Sequence, residues 1–75
     1  MENKTIYHEN KEFKSIDYSE KSLRDREFTK CKFISCNFTN SDLRDNNFDD
    51  CVFENCNFSM TIIGNVGLSN VIFNN

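Results

Sequence analysis

Four cysteines and a single histidine are the side chains of this 75-residue chain most able to do chemistry. Cys31, Cys36, Cys51 and Cys56 form two Cys-x4-Cys pairs, and paired thiols at short spacing can ligate zinc. Each cysteine, however, stands two residues before a phenylalanine: Phe33, Phe38, Phe53 and Phe58. Thiols that keep phase with an aromatic series read as wall packing, where free cysteine behaves as a small hydrophobe. Stacked disulfides Cys31–Cys51 and Cys36–Cys56 would sit at the lower end of the allowed Cα spacing, and a reducing cytosol keeps such thiols free. His8 has no nucleophile or metal partner in a recognisable arrangement nearby, so it reads as a surface residue near the N-terminus. No glycine-rich phosphate loop, paired catalytic carboxylates or nucleophile elbow appears. The expectation is a chain with no catalytic residue, no cofactor and no metal.

The elements that carry these residues follow from a repeat. Large apolar side chains fall at Phe13, Tyr18, Leu23, Phe28, Phe33, Phe38, Leu43, Phe48, Phe53, Phe58, Ile63, Leu68 and Phe73, always five residues apart. Two residues before each lies a second series: Lys11, Ile16, Lys21, Arg26, Cys31, Cys36, Ser41, Asn46, Cys51, Cys56, Thr61, Val66 and Val71. The other three positions are mostly polar. On a helix a step of five turns about 500°, so the series would spiral without making a face. On a straight strand five is odd, and successive phenylalanines would alternate sides. The pattern closes only if the chain turns a corner in every repeat, with both series pointing into a polygon.

The number of sides follows from self-comparison. Residues 21–40 match the chain at four positions when shifted by 15, at nine when shifted by 20 and at five when shifted by 25. A coil of twenty residues therefore stacks like on like, about 4.8 Å apart. The expected fold is an all-β quadrilateral β-helix of about three to three and a half coils, spanning residues 11–75 after a lead-in at 1–10. Its core is the thirteen-residue apolar series together with the four cysteines.

The run Cys31-Lys32-Phe33-Ile34-Ser35-Cys36-Asn37-Phe38-Thr39-Asn40-Ser41-Asp42-Leu43 resembles the pentapeptide-repeat family. That resemblance implies a right-handed coil. The stretch from Glu12 to Met60 is also similar to the N-terminal part of Qnr-type quinolone-resistance proteins, through Cys-x-Phe-x-x-Cys-x-Phe, Ser-Asp-Leu and Cys56-Asn57-Phe58-Ser59. This second likeness implies a DNA-mimicking binder of DNA gyrase or another type II topoisomerase; the alternative is a structural or scaffold module with another protein partner.

Charge and the two ends complete the reading. The net charge of −3 argues against direct nucleic-acid binding. No apolar run approaches membrane-spanning length, and the polar start lacks a signal-peptide core, so a cytoplasmic protein is expected. Residues 41–75 carry Arg44 against Asp42, Asp45, Asp49, Asp50 and Glu54. These five carboxylates are the candidate partner-binding surface, attractive to a basic groove. At one end, Lys11, Lys21 and Arg26 occupy inward slots, where an unpaired buried cation is costly, so they should snorkel into water as a polar cap. At the other, Val66, Leu68, Val71 and Phe73 are uncapped and are the expected homodimer surface.

Overall fold

The computed structural model describes residues 5–74, and within them the chain winds as a β-solenoid of about three turns. Two of its sides are parallel sheets. One contains β1 (Ile6–Glu9), β3 (Arg26–Thr29), β5 (Asn47–Asp49) and β7 (Gly67–Ser69). The other contains β2 (Glu12–Lys14), β4 (Lys32–Ile34), β6 (Val52–Glu54) and β8 (Ile72–Asn74). Every strand pairs with the strand one coil away, and the register is twenty residues throughout, as in Phe13↔Phe33 and Phe33↔Phe53. The remaining two sides are held by single bridges, Asp17↔Asn37↔Asn57 and Ser22↔Asp42↔Ile62, in the same register. No helix occurs among the described residues.

The solenoid begins earlier than the boundary at residue 11 implied. Ile6–Glu9 is already a strand, paired Ile6↔Arg26 through Glu9↔Thr29. The lead-in at 1–10 is therefore corrected from residue 6 onward, and residues 1–4 lie outside the described part. The physical reason is that His8 keeps the five-residue phase, and its ring substitutes for an aromatic: it stacks on Phe28 at 4.8 Å and meets Phe13 edge-on at 5.6 Å. His8 is thus half-buried, not a free terminal surface residue.

The interior is three aromatic columns and one aliphatic column. Phe13, Phe33, Phe53 and Phe73 stack at 4.8, 4.7 and 5.1 Å. Tyr18, Phe38 and Phe58 stack at 5.1 and 5.0 Å, and Phe28 sits 5.1 Å from Phe48. Rings of neighbouring columns meet edge to face, as Phe28 and Phe33 do at 5.2 Å and 72°. The arrangement satisfies the ring quadrupoles in both directions, near-parallel up the column and T-shaped across it. Leu23, Leu43 and Ile63 form the fourth wall. Burial is complete only in the middle coil, where Cys31, Phe33, Cys36, Phe38, Leu43, Phe48, Cys51 and Phe53 are all buried.

What turns each corner is a residue in the left-handed region. Asn10, Ser15, Glu20, Asp25, Lys30, Ser35, Asn40, Asp45, Asp50, Asn55, Met60, Asn65 and Asn70 all have φ between 53° and 66°. Eight of these are Asn or Asp, the non-glycine residues that visit that region at least cost. Neither glycine serves a corner. On the Tyr18 side the corner is a β-turn with its third residue left-handed: Lys21, Ser41 and Thr61 amides donate to the carbonyls of Tyr18, Phe38 and Phe58. Asp17, Asn37 and Asn57 tighten it, their Oδ1 accepting from the amides of Ser19, Thr39 and Ser59 at 2.9 to 3.0 Å. Met60 holds this strained position with a side chain 79% exposed. Met60→Asn is therefore expected to raise stability by about 0.5–1 kcal/mol, read as a higher Tm; an unchanged or lower Tm would count against the corner assignment.

Candidate functional site

The cysteines occupy two adjacent walls of the coil, Cys31 and Cys51 above one another and Cys36 and Cys56 above one another. Each thiol faces backbone carbonyls. Cys51 Sγ lies 3.3 Å from the Phe28 carbonyl, and Cys56 Sγ lies 3.4 Å from that of Phe33. Cys31 and Cys36 stand likewise against His8 and Phe13. Desolvation pushes the Cys51 and Cys56 thiols up from the ordinary value, which disfavours the nucleophilic thiolate. All four are free thiols. Their chemistry is that of a wall, with the S–H as a weak donor.

The five carboxylates of the candidate acidic surface do not share a face. Asp42 lies on the Leu43 side, Asp45 at the corner before β5, Asp49 and Asp50 at the corner between β5 and β6, and Glu54 on β6. Two of the five are already paired. Arg44 clasps Asp42 through Nε at 2.9 Å and Nη2 at 2.7 Å, and Asp42 Oδ1 also accepts from the Arg44 amide at 3.1 Å. Arg24 reaches one coil along to Asp45 at 2.5 Å, and Asn65 donates to the same carboxylate from the far side at 2.9 Å. An Arg24–Asp45–Asn65 ladder therefore ties three coils together on the outside. Asp49, Asp50 and Glu54 form no ion pair among the described residues.

The hydrogen bonds from Arg44 hold the Asp42 carboxyl down at about 2, and those from Arg24 and Asn65 lower Asp45. A folded-state value below the unfolded one, about 3.9, means stability that is present above that value and lost as pH falls towards 2. Both groups are solvated, so the effect is small. Tm measured from pH 5 to pH 2 should fall less steeply in Asp42→Asn than in the parent chain; equal slopes would contradict the pairing.

The two ends differ as the sequence implied, with one exception. Lys11 and Lys21 are exposed, while Arg26 is half-buried. Its backbone amide donates to Asn46 Oδ1 at 2.7 Å, and Asn46, with no exposed surface, sits beneath it in the same inward column. Arg26 stays partly inside because the side it lines already begins at β1, one coil earlier than the repeat pattern suggested.

At the opposite end the inward series points into an open mouth. Ile63, Leu68 and Phe73 are 68%, 56% and 55% exposed. They were expected in the core, and they do keep the inward phase, but no further coil covers them among the described residues. With Val66 they line a depression of about 500 Å³ whose floor is Leu43, Phe48, Phe53 and Phe58. Val71 is half-buried beside it. Outward positions in this coil are apolar too: Ile62 is 50% exposed and Ile72 is 53% exposed. No charged residue follows Glu54 in the sequence.

No group of three or more His, Cys, Asp or Glu side chains suited to a metal ion is found among the described residues, and they contain no helix long and apolar enough to cross a membrane. No curated protein matches the chain at a significant level. The family model for pentapeptide repeats (8 copies) matches it twice, over residues 23–60 and 36–75, which together span more than two thirds of its length. With the five-residue walls, the twenty-residue register and the stacked Phe and Cys columns, that match establishes that the chain belongs to the pentapeptide-repeat family.

Proposed function

We propose that this chain is a non-catalytic protein-interaction module that pairs with a second copy of itself through the last coil. The observation that carries the reading is the charge-free final coil, whose exposed Ile63, Leu68 and Phe73 surround an open apolar depression. A contiguous exposed apolar patch marks an interaction surface, and an open solenoid end also offers unpaired backbone to a partner. A second copy fits because the patch contains no charge that would need an opposite one on a different partner. Four free, wall-packed thiols suit a reducing, cytoplasmic setting. Sedimentation velocity from low to high micromolar concentration tests the pairing. A concentration-dependent dimer is expected, and an ideal monomer across the range overturns it.

The Qnr-type reading, a duplex-imitating partner of a type II topoisomerase, draws support from Asp49, Asp50 and Glu54, which stand free of ion pairs among the described residues. It is the weaker reading, because arginines neutralise Asp42 and Asp45 and the five carboxylates spread over three sides. Gyrase supercoiling, with and without a quinolone, decides it as the protein is titrated in. Protection or inhibition supports the topoisomerase partner, and neither leaves the scaffold reading.

A further inference from the structure

The N-terminal end holds a second cavity, of about 40 Å³, which the proposed pairing does not use. His8, Arg26 and Asn46 line it, over a floor that includes Phe28 and Phe48. Asn46 is wholly buried; its Oδ1 is taken by the Arg26 amide, while its Nδ2 has no partner. Arg26 Nε is buried without a partner as well, and so are both ring nitrogens of His8. Buried polar groups in a native structure are almost always satisfied, so several orphans around one space point to an occupant.

The character of the orphans says which occupant. An asparagine Nδ2 and an arginine Nε only donate, and a neutral histidine adds one more N–H. The only acceptor in the set is the unprotonated nitrogen of His8. The charge has the same sign: Arg26 forms no salt bridge among the described residues, and Lys11 is close enough, with Arg26, to oppose protonation of His8. Most of the lining is aromatic and aliphatic, so the few polar atoms that reach the space decide its occupant, and unpaired donors in a positive field complement an anion. A water needs roughly 10–15 Å³ of such space, so the cavity exceeds one water, yet it is too small for a hydrated phosphate.

We propose that this cavity binds one small monovalent anion of chloride or bromide size, held between Asn46 Nδ2 and Arg26 Nε. The ion ties the first coil to the second by neutralising Arg26, the one half-buried cation among the described residues.

Thermal unfolding of the whole chain in sodium chloride, sodium bromide or sodium gluconate at equal ionic strength tests it, gluconate being too large to enter. The expected result is a fivefold gain in the folded-to-unfolded ratio with either halide, roughly 4–8 °C in Tm for a domain this size. Asn46→Asp keeps the acceptor for the Arg26 amide and supplies the negative charge covalently. It should remain folded and lose the halide dependence. Equal Tm values in halide and gluconate, or an undiminished halide effect in Asn46→Asp, would overturn the site. In crystals of the parent chain grown in bromide, an anomalous peak in the cavity supports it, and a water alone there overturns it.

Discussion

Truncation of Phe33 to alanine is expected to cost about 3–5 kcal/mol, comparable to the whole stability of a domain this small. Phe33 is 2% exposed. It stacks on Phe13 and Phe53 at 4.8 and 4.7 Å and meets Phe28 and Phe38 edge-on at 5.2 and 5.8 Å. Deleting its ring opens a void that five rings line, Phe48 at 6.1 Å included, and their backbones, fixed by neighbouring coils, cannot close it. The same substitution lower in the column should cost far less: Phe73 is 55% exposed and stacks on one side only. An exposed outward residue, Lys32, should tolerate aspartate to within about 0.5 kcal/mol. Phe38→Asp or Phe53→Asp should abolish folding, since each would bury an unpaired carboxylate. Chemical denaturation of these variants gives the ranking, and equal tolerance at Phe33 and Lys32 would contradict the inward assignment.

The second large effect is on assembly. Leu68→Glu places a carboxylate in the open mouth of the last coil, beside Phe73 and Val66. In the proposed pair, two copies bring that charge into an apolar contact, where desolvation leaves it uncompensated. Self-association should weaken by at least about a hundredfold. The monomer should keep its β signature, because Leu68 is 56% exposed and stacks little against the rest of the core. A Leu68→Glu chain that still sediments as a dimer would move the interface elsewhere.

Most of the fold was legible because side-chain period and backbone geometry are tied so tightly here. A step of five fits neither helix nor strand, and the twenty-residue recurrence of Leu23/Leu43, Phe33/Phe53 and Cys36/Cys56 fixes the number of sides. The cysteine walls followed from the same phase. The corner chemistry was also written in the sequence, in Asn or Asp at eight of the thirteen fifth positions from Asn10 to Asn70, but it is diluted by Ser15, Glu20, Lys30, Ser35 and Met60. Those residues are held left-handed by the coil beside them, not by their own preference. His8 escaped because a lone histidine does not resemble a phenylalanine in a column; only its phase gave the signal. The pairing within the acidic surface was hidden for a different reason. Sequence counts carboxylates but cannot see that Arg24 reaches Asp45 across a coil, or that Arg44 folds back on Asp42.

Docking of a second copy on the last coil, as proposed, has a readout in that coil's backbone amides. In the coil before it, the amides of Asn40, Leu43, Asp45 and Asp50 donate to the carbonyls of Ser59, Ile62, Gly64 and Ser69 at 2.9 to 3.1 Å. One coil on, the equivalent amides of Met60, Ile63, Asn65 and Asn70 have no backbone acceptor among the described residues. Hydrogen exchange at these eight amides, followed from low to high micromolar protein, separates the outcomes. Met60, Ile63, Asn65 and Asn70 are expected to exchange more slowly as concentration rises, while the four interior amides stay protected throughout. Fast exchange at the terminal four, unchanged at every concentration, would contradict it.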